Sequence, residues 1–91
     1  MDGNKILEVI KRYRNYFKEQ GIVAIDFPHD KKPETQEEKL GHCYGMLPKM
    51  EVFIQEGRMD KAFRWLGFIQ GCLWSEDQYA LEDLMDHSRP K

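Results

Sequence analysis

The stretch TQEEKLGHCYGMLPKMEVFIQEGRMDKAFRWLGFIQGCLW, residues 35–74, decides the fold. Thr35 followed by Glu38 is a capping box, in which a hydroxyl and a carboxylate satisfy free N–H groups at the start of a helix. Leu40, Cys43, Leu47, Met50 and Ile54 then recur at spacings of 3, 4, 3 and 4, the seam of a helix packed along another helix. Pro48 falls inside the run and removes one backbone hydrogen bond, and the seam predicts a bent continuous helix in preference to one split near Met46. Gly57 supplies the left-handed residue that ends it. The next helix starts between Arg58 and Asp60 and carries Met59, Ala62, Leu66, Ile69 and Leu73 on one face, with Trp65, Phe68 and Cys72 turned well away. Apolar residues nearly surround it, as expected of a helix central to the fold or shared with a second subunit.

The short connection makes these two helices an antiparallel hairpin. Reflection of the chain about Gly57 sets Cys43 level with Cys72, Leu47 near Phe68, and Met50 near Trp65. Gly41 with Gly45, and Gly67 with Gly71, give each helix a small-xxx-small step at about the same height, which predicts close approach of the two backbones.

Upstream, Asp2 or Asn4 caps a helix from about Lys5 to Gln20, whose apolar positions Ile6, Ile10, Tyr13 and Phe17 form a helical stripe ending at Gly21. Residues 22–27 are β-prone, but a lone strand has no ladder partner, so they read as an extended segment packed on the helices. The charged, proline-bounded residues 28–34 form a loop. Downstream, Ser75 followed by Gln78 makes another capping box, opening a short helix with Tyr79, Leu81, Leu84 and Met85 inward. The expected architecture is all-α: one domain over 1–91, with an antiparallel helical hairpin at 35–74, an N-terminal helix and extended segment at 1–27, and a short C-terminal helix at 75–87.

With 41% hydrophobic and 12% aromatic residues the chain has enough apolar material to fold, although 91 residues make a thin core. Fourteen basic against sixteen acidic residues leave a formal charge of -2, so no global field attracts nucleic acid or an anionic membrane. No apolar run approaches the roughly 20 residues of a membrane span, and the N-terminus lacks the pattern of a signal peptide, which points to a cytoplasmic protein. Cys43 and Cys72 lack zinc-site spacing, and in that compartment they are expected as reduced thiols and not as a disulfide.

Chemistry-bearing patterns are sparse. His29, His42 and His87 are scattered over a loop, a helix and the tail, without metal-ligand spacing. His42 and Cys43 are helix neighbours pointing about 100° apart, so the imidazole cannot activate the thiol. No phosphate loop, dinucleotide fingerprint or nucleophile elbow is present, and we expect neither enzymatic activity nor a cofactor. Residues 62–67 faintly resemble a helix-turn-helix turn, but the helix that follows is too apolar to read a groove. The acids Glu76, Asp77, Glu82, Asp83 and Asp86 would repel phosphate, which argues against DNA. Two sets of candidates remain. Trp65, Phe68 and Trp74, with the polar Arg64 and Gln70 on an otherwise apolar helix, have the composition of an interface hot spot. Lys11, Arg14 and Lys18 beside Tyr13 and Tyr16 offer a basic face for an anionic ligand, or a solvated surface.

The run from Glu56 to Gly71, with Leu73 and Trp74, resembles small proteins encoded by tailed phages and prophages, in which a similar Glu-Gly-Arg, Lys-Ala, Arg-Trp-Leu-Gly-Phe and Gln-Gly…Leu-Trp pattern precedes a short acidic helix, here Tyr79 to His87. The likeness covers about half the chain and excludes residues 1–34. It implies a phage-type gene product acting in the cytoplasm of an infected bacterium, and it carries no functional residue across. Small phage proteins of this size commonly bind host enzymes, defence complexes or signalling nucleotides stoichiometrically, an analogy of setting only. The expected function is a non-enzymatic binding protein that blocks or modulates a host protein, such as an anti-defence factor, and that forms a homo-oligomer through the helix after Gly57. The alternatives are an oligomer that sequesters an anionic nucleotide, and a structural or regulatory phage component whose partner is another phage protein.

Overall fold

The structure, a computed structural model, describes residues 2–26, 32–76, 78 and 81–88. Four helices follow in order: α1 (Gly3–Glu19), α2 (Gln36–Gln55), α3 (Met59–Ser75) and α4 (Leu81–Ser88). Each of the first two begins where a side chain satisfies a free N–H: the Asp2 carboxylate accepts from Lys5 N at 2.8 Å, and the Thr35 hydroxyl accepts from Glu38 N at 3.1 Å. α1 and α2 are closed by Gly21 and Gly57, at φ values of 71° and 76° that favour glycine. α2 runs unbroken through Pro48 for 20 residues.

The all-α class holds, but a hairpin with flanking helices does not describe the packing. The four helices form one compact bundle, with α2 on α3 and α1 against α2, α3 and α4. The radius of gyration is 12.6 Å, close to the roughly 12 Å of a compact chain of this length. The physical reason lies in α1, whose residues Ile6, Val9, Ile10, Tyr13 and Phe17 are all buried and share a single core with Leu40, Cys43, Leu47 and Met50 of α2 and Ala62, Leu66, Ile69 and Leu73 of α3. Two helices alone would leave one apolar side of that core in water. α4 closes the bundle by burying Leu84 and His87.

Three local expectations are corrected. Ser75 does not cap the last helix; it ends α3, its hydroxyl donating to the Cys72 carbonyl at 3.0 Å while Gln78 N donates to the Leu73 carbonyl at 2.8 Å. The expected inward Tyr79 lies outside the described residues, and Met85 is exposed. The paired glycines do not bring α2 and α3 together. Gly41 and Gly45 instead lie beneath the extended segment after α1, where Ile25 N donates to the Gly41 carbonyl at 3.1 Å and a Cβ on Gly45 would stand 2.3 Å from the Ile25 oxygen. Gly67 and Gly71 face outward, with nothing within 4 Å of a Cβ placed on either. α3 is buried along one side and open along the other, where Phe63, Phe68 and Trp74 continue its apolar surface.

Candidate functional site

The outward side of α3 is built by helical period. Ala62, Leu66, Ile69 and Leu73 point into the bundle, so Arg64, Gly67 and Gly71 come round to the opposite side, with Phe63 and Trp74 along one edge of it and Phe68 along the other. Phe63 and Phe68 are each 52% exposed and Trp74 is 58% exposed, while Arg64, Gly67 and Gly71 are also open. Three large aromatic side chains therefore surround a floor of two glycines on one face. Scattered exposed apolar residues are ordinary, but three large aromatic side chains open on the same side of one helix are a candidate interaction surface.

The structure divides the five expected interface residues. Arg64, Phe68 and Trp74 stand on the open face, and the Phe68 and His42 rings meet in a T-shaped pair with centroids 6.2 Å apart. Trp65 does not join them. It is half-buried against Phe53 in an edge-to-face pair at 4.8 Å, with the Lys61 ammonium over both rings, so it braces α2 against α3. Gln70 points inward. Its amide donates to the Tyr13 hydroxyl at 3.1 Å and to Ser88 Oγ at 2.9 Å, tying α3 to α1 and α4. Phe63, Gly67 and Gly71 were not among the expected interface residues, yet their spacing from Trp74, opposite the buried stripe, is the signal that marks them.

The expected basic face on α1 comes apart. Tyr13 is fully buried and cannot touch a ligand. Arg14 turns toward α2 and pairs with Glu51, and the Tyr16 hydroxyl donates to Gln78 while burial pushes its pKa up. Lys11 lines a different, shallow groove with Lys5, Glu8, Arg12 and Asn15, and Lys18 is exposed on the surface. Tyr13 and Phe17 occupy the stripe that packs the core, and the cations distribute to either side of it.

The inner end of the bundle holds a polar chain running Gln70, Tyr13, His87. The Tyr13 hydroxyl accepts from Gln70 and shares a hydrogen bond of 2.9 Å with His87 Nδ1. Burial, reinforced by the charges of Arg12 and Lys5 against Asp83 and Asp86, holds the His87 pKa below the ordinary imidazole value. Its stabilising effect is therefore complete above the unfolded value of about 6.5 and is lost as pH falls through and below it. The midpoint of thermal unfolding should drop between about pH 7.5 and about pH 5 in the parent protein and drop less in a His87→Gln variant. Equal slopes would show that His87 does not govern acid stability.

Cys43 and Cys72 are both free thiols and share a hydrogen bond across α2 and α3. Donation to Cys72, with burial, pushes the Cys43 thiol strongly up; acceptance from Cys43 and the nearby Lys39 charge draw Cys72 down. Lys39 itself is held against Glu76. Among the described residues no three His, Cys, Asp or Glu side chains form a metal cluster; His29 lies outside them. No helix among them is long and apolar enough to cross a membrane. No known family model, curated protein or solved structure matches the chain.

Proposed function

We propose that the protein is a non-enzymatic binding protein that docks on a host protein in a bacterial cell and blocks or modulates it, with anti-defence activity as its setting, and that it does so through the open face of α3. The observation that carries this reading is the exposure of Phe63, Phe68 and Trp74 on one face of a helix whose opposite face is completely buried. Aromatic and arginine side chains are the residue types that dominate binding energy at interfaces, and Arg64 stands among them. The sequestering alternative loses support, because the five residues it relied on do not converge.

The test compares affinity capture from bacterial lysate by tagged parent protein and by a Phe63→Ala/Trp74→Ala variant. Both side chains are more than half exposed, so the variant should keep its helicity and unfolding midpoint. Loss of a hot-spot pair is expected to weaken capture of a stoichiometric host partner by roughly 30-fold or more. Undiminished capture would place the docking surface elsewhere.

A further inference from the structure

We infer that in the free protein the open face of α3 is covered by a second copy of this chain, α3 packed antiparallel against α3 across Gly67 and Gly71, and that a host protein docking there replaces that copy. The inference rests on the reading of that face as a docking surface and names an occupant for it.

The glycines are the first argument. A glycine inside a helix weakens it relative to alanine, so its presence calls for a reason. Gly41 and Gly45 have one within the subunit, since a Cβ on either would strike the backbone of Val23 or Ile25 at 2.6 or 2.3 Å. Gly67 and Gly71 have none, because nothing lies within 4 Å of a Cβ on either. Close approach of a helix from outside supplies the missing crowding, and bare backbone at the crossing lets two helices pack at the short end of their usual separation.

Self-complementarity is the second. A two-fold axis perpendicular to α3, placed midway between Gly67 and Gly71, lies level with Ile69. At 1.5 Å per residue Phe63 stands about 9 Å to one side of it and Trp74 about 7.5 Å to the other. Both lie along the same edge of the glycine floor. The rotation therefore sets Phe63 of each copy beside Trp74 of the other, and on the opposite edge sets Phe68 against its own counterpart. Aromatic side chains meet aromatic side chains at both edges while glycine meets glycine at the centre. One patch satisfies itself, which is the condition of an isologous contact.

Charge selects the direction. Arg58 at the N-cap of α3, with Lys61 and Arg64 in its first third, stands against the single acid Asp60, and the last turn carries no basic residue to face the C-terminal carbonyls. Antiparallel pairing brings Arg64 level with Trp74 of the second copy, next to those carbonyls, and opposes the two helix dipoles. Parallel pairing would stack Arg64 on Arg64 and align the dipoles.

The test is sedimentation equilibrium of the full chain, with a Gly67→Gln/Gly71→Gln variant and a photo-crosslinking variant bearing benzoylphenylalanine in place of Phe63. The parent should sediment at twice the chain mass, and the glutamine variant at the chain mass with its helicity retained. The photo-crosslink should join two chains at residues 74 or 75. Three outcomes overturn the inference: a monomeric parent, a glutamine variant that remains dimeric, or crosslinks that fall near residue 63 of the other chain. A monomeric parent whose host capture still fails on Phe63→Ala/Trp74→Ala overturns self-pairing alone. A monomer whose capture ignores that substitution removes the docking surface as well.

Discussion

Gly45→Ala is expected to lower the unfolding midpoint by roughly 5–20 °C, although the same change at an exposed helical glycine raises it. At a free position the exchange gains about 1 kcal/mol of helix stability. Gly67 is such a position in a single subunit. At Gly45 the new Cβ would lie 2.3 Å from the Ile25 oxygen and 3.2 Å from its carbonyl carbon. These are backbone atoms and cannot rotate away. The segment 22–26 must lift, stretching the bond from Ile25 N to the Gly41 carbonyl and the ion pair of Lys49 with Asp26, now 3.1 and 2.8 Å long. Overpacking of this kind costs about 1–3 kcal/mol after the helix gain is offset, and each kcal/mol moves the midpoint of a domain this size by about 4–8 °C. Gly67→Ala in the same scan, measured at a dilution where any dimer has dissociated, should move the midpoint upward. If both substitutions moved it in the same direction, the segment would not rest on α2 as described.

That pair of glycine steps also shows where the sequence stops being legible. Gly41-x-x-x-Gly45 and Gly67-x-x-x-Gly71 are the same pattern at matching heights, and periodicity assigns both to the contact between α2 and α3. Which side of α2 receives the segment after Gly21 depends on packing of the whole chain, and no local spacing encodes it. Local signals fared better. Thr35, Gly21 and Gly57 act within one turn of themselves, and the structure places the ends of α1 and α2 where they stand. The Ser75 to Gln78 signal failed because Ser75 found a nearer acceptor, the Cys72 carbonyl, and so extended α3.

The candidate site divides along the same line. Arg64, Phe68 and Trp74 were readable as polar and aromatic residues off the apolar stripe of α3. Trp65 and Gln70 carry the same chemistry, but Phe53 captures the one and Tyr13 the other, and those partners lie on α2 and α1. On α1 the decisive residue is Tyr13. Its phenol could serve a ligand at a surface or a hydrogen-bond chain in a core, and only the arrival of α4 with His87 fixes the second role.

Phe17→Ala separates a bundle from a hairpin with appendages. Phe17 is fully buried near the end of α1, stacked on Tyr44 of α2 at 5.5 Å with the rings 28° apart. Truncation of a buried Phe costs about 3–5 kcal/mol through lost transfer energy and the cavity left behind. A chain of this length has a total stability of about 5–13 kcal/mol, so the variant stands at the edge of unfolding at moderate temperature. If α2 and α3 formed a self-sufficient hairpin, that loss would fall on α1 alone. Tryptophan fluorescence, which reports α3 through Trp65 against Phe53, would then keep its parental transition while circular dichroism recorded an earlier partial loss of helix. Because Ile6, Val9, Ile10, Tyr13 and Phe17 share one core with Leu47, Met50, Leu66 and Ile69, both signals should instead shift together in a single transition at lower denaturant. Separated transitions would return α1 to the status of an appendage. Coincident ones would mean that any partner gripping the outer face of α3 is coupled through that core to the helix on the far side of the bundle.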